Sequence, residues 1–352
     1  MTNRDPSALG LYAALTAGLA VLFLLNLVTG SVAIGPVEVI RILAGGEASR
    51  ASWETIIWLF RLPKAITAVF AGAGLAMSGL FMQTLFRNPL AGPSVLGITA
   101  GASFGVAVVV LAGAGGGAAS RFIEGLGLYG QMGLVLASGL GAAGVMAIIL
   151  LLARRVEHVM TLLIVGLLAG FAINAAVSVL IHFSVAELIQ AYVAWTFGSF
   201  GAAAWSDLRL FVPIMAAGVL AGQSLRKPLN GLLLGEDYAR SMGLGIFPLR
   251  IAVIGLTALL TGTVTAFCGP VAFIGVAVPH LARAVMNSSD HRRLLPAVVL
   301  LGGMTALAAD LVAQFPGSDA VLPLNAVTAL IGAPVIVWFI LRRRNLQKTF
   351  AN

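Results

Sequence analysis

Charged residues are spaced so widely along this chain that the intervals between them become the natural unit of description. Uncharged, mostly apolar runs occupy 6–37, 65–86, 88–120, 125–153, 158–186, 251–282 and 320–341, and two shorter ones occupy 210–225 and 294–309. Crossing the hydrocarbon of a bilayer takes about 20 apolar residues as a helix. Each of the longer runs therefore predicts at least one membrane-spanning helix. Unbroken apolar runs are incompatible with the alternating pattern of an outer-membrane barrel strand. The run 188–206 is different, because it mixes Gln190, Tyr192, two tryptophans and several glycines. It reads as a helix and turn lying at headgroup level, where Trp and Tyr concentrate.

The run 251–282 decides the topology. It accommodates either one long crossing or two short ones broken at Cys268-Gly269-Pro270. With the N-terminus inside and a double crossing, 15 of the 21 Lys and Arg residues fall on the cytoplasmic side and 6 outside. A single crossing inverts that bias, against the tendency of Lys and Arg to remain inside. The expected fold is all-α: a polytopic membrane protein with ten transmembrane helices, residues 1–352 forming a single transmembrane domain. Two full crossings in so short a run require helices that continue past Arg250 and Arg283. Pro279 is expected to bend or end the second of them, placing His280 and Arg283 at its cytoplasmic mouth.

Composition sharpens this picture. Hydrophobic residues make up 59% and charged residues 10% of the 352 positions, with a mean hydropathy of +1.01, outside the range of soluble domains. The net charge of +8 fits positive-inside loops and gives no reason to expect nucleic acid. One cysteine, Cys268, and four scattered histidines make neither a disulfide nor a metal site, so no metal is expected. No cleavable signal peptide is expected either. Glycines cluster within the runs, as in "AGAGLAMSG" (Ala71 to Gly79) and "GLLAG" (Gly166 to Gly170), a spacing that lets helices approach closely. "AGAGGGAAS" (112–120) reads as a flexible outside loop.

The longest cytoplasmic connection covers residues 224–250, "SLRKPLNGLLLGEDYARSMGLGIFPLR". It is expected to break at Pro228 and Gly231. Glu236 and Asp237 then open a short helix that closes on Gly243, since acidic side chains favour a helix start and glycine follows its end. Such a helix suits docking to a partner, and Ala239 is small enough to sit against the partner's wall. Asp310, near the end of the ninth predicted span, is the candidate buried ionisable group.

Three blocks are similar to a known family. "RLPKAITAVFAGAGLAMSGLFMQTLFRNPLAGPSVLGITAGASFG" (Arg61 to Gly105), "LGEDYARSMGL" and "GPVAFIGVAVPHLARAV" (Gly269 to Val285) resemble, in order, the permease subunits of ABC importers for iron-siderophore complexes, haem and cobalamin, the FecCD/BtuC-like type II importers. The resemblance implies a homodimer in the bacterial inner membrane and two separate cytoplasmic ABC ATPase subunits that use ATP and Mg. It also implies a periplasmic or lipid-anchored substrate-binding protein, and no cofactor or catalytic residue on this chain. The segment Glu236, Asp237, Ala239, Arg240 and Gly243 corresponds to the coupling element, with Asp237 where the family pattern has Glu. Arg61 and Lys64 match the positions at which cobalamin members dock their binding protein, Lys64 replacing an arginine. A further docking arginine of those members is Gln314 here. Ferric siderophore, the commonest cargo of the family, is the first expectation, with haem or cobalamin as alternatives. No phosphate-binding Gly-x-x-x-x-Gly-Lys-Ser/Thr loop occurs. An ion-coupled secondary transporter would want several intramembrane carboxylates, and a membrane enzyme a polar cluster that the loops do not show.

Overall fold

The computed structural model describes residues 6–111, 128–156, 159–314 and 321–342; the start of the chain, the 112–120 loop, His158 and the tail beyond 342 lie outside them. The described residues are helical, without strands, as a chain must be when lipid offers its backbone no hydrogen bonds. In order they are α1 (Pro6–Val28), α2 (Pro36–Leu43), α3 (Ala51–Leu85), α4 (Ile98–Leu111), α5 (Leu128–Ala153), α6 (Val159–His182), α7 (Ala186–Thr196), α8 (Trp205–Ser224), α9 (Arg226–Leu233), α10 (Glu236–Ser241), α11 (Ile246–Cys268), α12 (Ile274–Met286), α13 (His291–Ala313) and α14 (Leu324–Arg342). Seven of these are long and apolar enough to cross a membrane: α1, α3, α5, α6, α8, α11 and α13. Three shorter apolar helices, within α4, α12 and α14, accompany them.

The 251–282 run is indeed two helices. α11 ends at Cys268, Gly269 takes φ +72°, and α12 starts at Ile274. Both continue past the arginines that bounded the run, α11 starting four residues before Arg250 and α12 ending three after Arg283. Pro279 does not end α12. It lies inside the helix, and its only cost there is the N–H that Gly275 would otherwise receive. In the same way α9 runs through Pro228 and Gly231 rather than breaking at them. Pro228 occupies the first turn, where a missing N–H is harmless.

Backbone proximity divides the chain into two compact units. The first, Met1–Leu80, Ser199–Lys227 and Ala272–Asn352, packs α13 against α1, α8, α12 and α14. In it α3 approaches its neighbours without side chains between them: a Cβ on Gly72 would overlap the Gly302 carbonyl of α13, and one on Gly79 would overlap the Gly275 carbonyl of α12. The second, Phe81–Gly198 and Pro228–Val271, packs α4 against α5, α6, α7 and α11. Tyr192 of α7 packs inward. It is 6% exposed in a cluster with Val106, Val110 and Leu188 and stacks on Trp195, and burial pushes its phenol pKa up.

Candidate functional site

In the first unit, Arg61 and Lys64 leave α3 within one turn of each other and both turn inward. Arg61 closes a stretch of π-helix, Ile56–Arg61, whose wider winding re-aims its last side chain relative to regular α-helix. Its Nη1 donates to the carbonyls of Leu27 (2.7 Å) and Val28 (2.9 Å), and Nη2 to Val32. Leu27 and Val28 end α1, where carbonyls have no helical donor and the helix dipole favours a cation. At 8% exposure, Arg61 is a cap for α1. The sequence expectation had this residue facing a binding protein; within the chain its guanidinium is engaged by the end of α1.

Lys64 Nζ lies 3.0 Å from Asp310 Oδ1 of α13, and Gln314 Nε2 donates to Asp310 Oδ2 at 2.7 Å. Asp310 is 4% exposed. An isolated carboxylate there would be costly, and the ammonium and amide together satisfy it. Lys64 thus serves an internal partner, and Gln314 is the second donor to the same carboxylate. Arg61, Lys64, Gln314 and Asn26 line a cavity of about 700 Å³. Asn26 donates to Leu22 and Leu307 carbonyls, while its buried Oδ1 finds no donor among the described residues.

His280 and Arg283 are also placed differently from expectation. His280 is 2% exposed in the middle of α12, and Arg283 is half-buried one turn on. His280 packs into the interior of the unit, and the helix continues past Pro279 to Met286.

The second unit carries the loop helix. α10 begins at Glu236 after Gly235 (φ +104°), and its end is closed by Gly243 in the left-handed conformation (φ +82°), with N–H groups of Gly243 and Leu244 returning to the carbonyls of Arg240 and Ala239. That is the glycine-terminated helix end. Two of its residues point into the chain itself. Glu236 receives both its bonds from Arg250 Nη2, at 2.8 and 2.7 Å, and Arg250 Nη1 also reaches the Val156 carbonyl at 3.5 Å. Ala239 is fully buried, which corrects the expectation that it presses on a partner. Left outward are Asp237, Tyr238, Arg240, Ser241, Met242 and Gly243. Leu234, Tyr238, Met242 and Phe247 are each about half exposed, an apolar group too close-set to be incidental surface. Sequence reasoning named the polar members of this surface and missed Tyr238, Met242 and Phe247. Their signal was the placing of Tyr238 among, and Met242 directly after, the charged and polar residues of Glu236 to Ser241, with Phe247 just beyond.

Comparison with known proteins follows the same outline. The family model described as the FecCD transport family matches residues 18–342. The vitamin B12 import system permease protein BtuC of Klebsiella pneumoniae is 36% identical over 94% of this chain and 93% of its own. The protein of the same name from Citrobacter koseri is 34% identical over 86% and 88%. A solved structure described as an inward-facing metal-chelate type ABC transporter superposes with a TM-score of 0.81 at 29% identity, covering 94% of this chain and 98% of its own.

Proposed function

The chain belongs to the FecCD transport family, and from that premise we propose that it is the multi-pass permease of an ABC importer that carries cobalamin or a closely related corrinoid across the bacterial inner membrane. Permeases of this family are not enzymes, and ATP hydrolysis belongs to a separate subunit. The observation that carries the cargo assignment is the 36% identity, over nearly the full length of both chains, to a vitamin B12 permease. Ferric siderophore, the first expectation from the sequence, gives way to what stood as its alternative. An iron chelate is the second reading, favoured by the likeness to a metal-chelate type transporter. Uptake of labelled cobalamin, ferric siderophore and haem by the reconstituted complex separates them. Cobalamin is expected to accumulate only with ATP present, and accumulation of the siderophore alone would reverse the assignment.

Ten crossings are the topology of this reading. The seven long helices and the three shorter apolar ones fall on the nine runs of the sequence, two of them on 251–282, and the break at Gly269 supports the double crossing on which the charge bias depends. A cysteine introduced at Arg292 in a Cys268→Ser background should be labelled only from the cytoplasm. Labelling from outside would remove the ten-span topology.

The working assembly is a homodimer with two ABC ATPase subunits and a substrate-binding protein. On the cytoplasmic side the outward face of α10 docks the ATPase: Tyr238 and Met242 fill a cleft, Asp237 and Arg240 set the rim, and Gly243 ends the helix. Glu236 and Ala239 hold that helix to its own chain, so a push on α10 reaches α11 through the Glu236–Arg250 pair.

A further inference from the structure

Beside the loop helix the second unit forms a cavity of about 900 Å³ that several arginines line. Arg154 and Arg155 follow directly on Ala153, the last residue of α5; Arg240 comes from α10, and Arg87 from the end of α3. Arg250 is matched by Glu236, which leaves Asp237 as the remaining carboxylate among the described lining residues. Arg154, Arg155 and Arg240 are all exposed. Arg87 is held in the left-handed region, at φ 47°, where a residue with a side chain is strained and where strain tends to mark a functional position. Gly235 stands beside its guanidinium, with 3.9 Å from Arg87 Nη1 to where a Cβ on Gly235 would lie, so the chain leaves room for that group next to α10. The opposite wall is apolar: Leu85, Ala153, Met160 and Phe247.

A cationic rim above an apolar wall at the end of a spanning helix has a specific chemical match. α5, with 26 residues, is about 39 Å long, more than the roughly 30 Å of hydrocarbon, so Arg154 and Arg155 emerge among headgroups. Guanidinium groups bind phosphate bidentately, and a soluble anion would have no use for the apolar wall. We propose that this cavity holds the phosphate of an anionic phospholipid of the cytoplasmic leaflet. The headgroup bridges Arg154 and Arg155 at the end of α5 to Arg240 on α10, with the glycerol and first methylenes against Met160 and Phe247. The proposal rests on the permease reading for which leaflet supplies the lipid. Its consequence is that lipid composition sets how firmly α10 is held, and so tunes coupling.

The test uses the purified full-length chain in nonionic detergent, followed by thermal unfolding with added phosphatidylglycerol or phosphatidylcholine. Phosphatidylglycerol is expected to raise the midpoint and phosphatidylcholine to leave it unchanged. Arg154→Gln, Arg155→Gln and Arg240→Gln combined are expected to weaken the phosphatidylglycerol effect roughly tenfold or more, on the scale of a few basic groups at an anionic surface, while the corresponding lysine variants keep most of it. Should the triple variant fold poorly, native mass spectrometry of the single Arg155→Gln chain counts retained lipid directly, and fewer phosphatidylglycerol adducts than in the wild type are expected. An equal effect of phosphatidylcholine, or undiminished binding by the glutamine variants, would overturn the proposal. So would inorganic phosphate reproducing and displacing the phosphatidylglycerol effect, which would make the site one for a soluble anion. Loss of ATPase capture with lipid binding intact would assign the arginines to that partner instead. No arm measures uptake, so failure here leaves the permease reading standing.

Discussion

Arg250 on α11 donates from one nitrogen to both carboxylate oxygens of Glu236 on α10, fourteen residues earlier in the chain. Arg250 is almost wholly buried and Glu236 only a quarter exposed, so the pair is a fixed strut between a loop helix and a spanning one. Replacing Arg250 with Gln should strand the carboxylate and free α10 at a cost of about 2 kcal/mol, short of a fully buried pair because Glu236 keeps some solvent. Amide exchange across 236–243 should then accelerate while α11 stays protected. Unchanged exchange would show that Ala239 alone anchors the helix.

Ala239 and its neighbours make a sharper contrast. Ala239→Arg places a long cation in a fully buried position and should reduce folded yield by overpacking, at about 3 kcal/mol or more, before any partner is involved. Tyr238→Ala and Met242→Ala, both on exposed positions, should leave melting behaviour within about 0.5 kcal/mol of wild type and weaken capture of the ATPase. Equal losses of fold in all three would count against the division into an inner and an outer face.

The Lys64–Asp310 pair predicts non-additivity. Lys64→Met alone leaves Asp310 with only the Gln314 amide and should destabilise the chain by about 3 kcal/mol in detergent. Lys64→Met with Asp310→Leu should recover most of that, since removing both members avoids the stranded charge. If instead the double variant loses the sum of the two single effects, the pair is not the unit that matters.

Glu38 gives a pH prediction. Its carboxylate accepts the Ser49 N–H at 2.5 Å, a bond that holds its pKa below the ordinary value, helped by Arg41. A depressed folded-state pKa means that the contribution is present above the unfolded pKa of about 4.3 and is lost as pH falls through the lower folded value. The Ser49 amide should therefore exchange faster, relative to its intrinsic rate, only in strong acid, and Glu38→Gln should remove that step.

Much of the fold was legible because hydrophobic runs and charge bias are properties of lengths and sums. The nine runs, the break at Gly269 and the overrun of Arg250 and Arg283 all follow from how many residues a crossing takes. What was not legible depended on partners distant in sequence. Arg61 looked like a surface charge because it borders an apolar run, yet the bare carbonyls of Leu27 and Val28 draw it inward, and the π-helical turn that lets it reach them has no signature in local composition. Glu236 looked like part of a helix start, and only the fold brings Arg250 to it. Pro279 and Pro228 were read as breaks because sequence cannot say which carbonyl a proline would deprive, and in both places the loss is tolerable.

The glycine contacts of α3 bear on how the first unit is able to move. Where Gly72 meets Gly302 and Gly79 meets Gly275, two main chains touch directly, so no side chain is present there to swing aside. Tilting at such a seam would drive peptide into peptide, which leaves sliding along the helix axis, as a drawer runs in its track, as the least hindered motion. One added methyl at Gly79 would wedge the track, so Gly79→Ala should arrest that motion even in molecules that manage to fold.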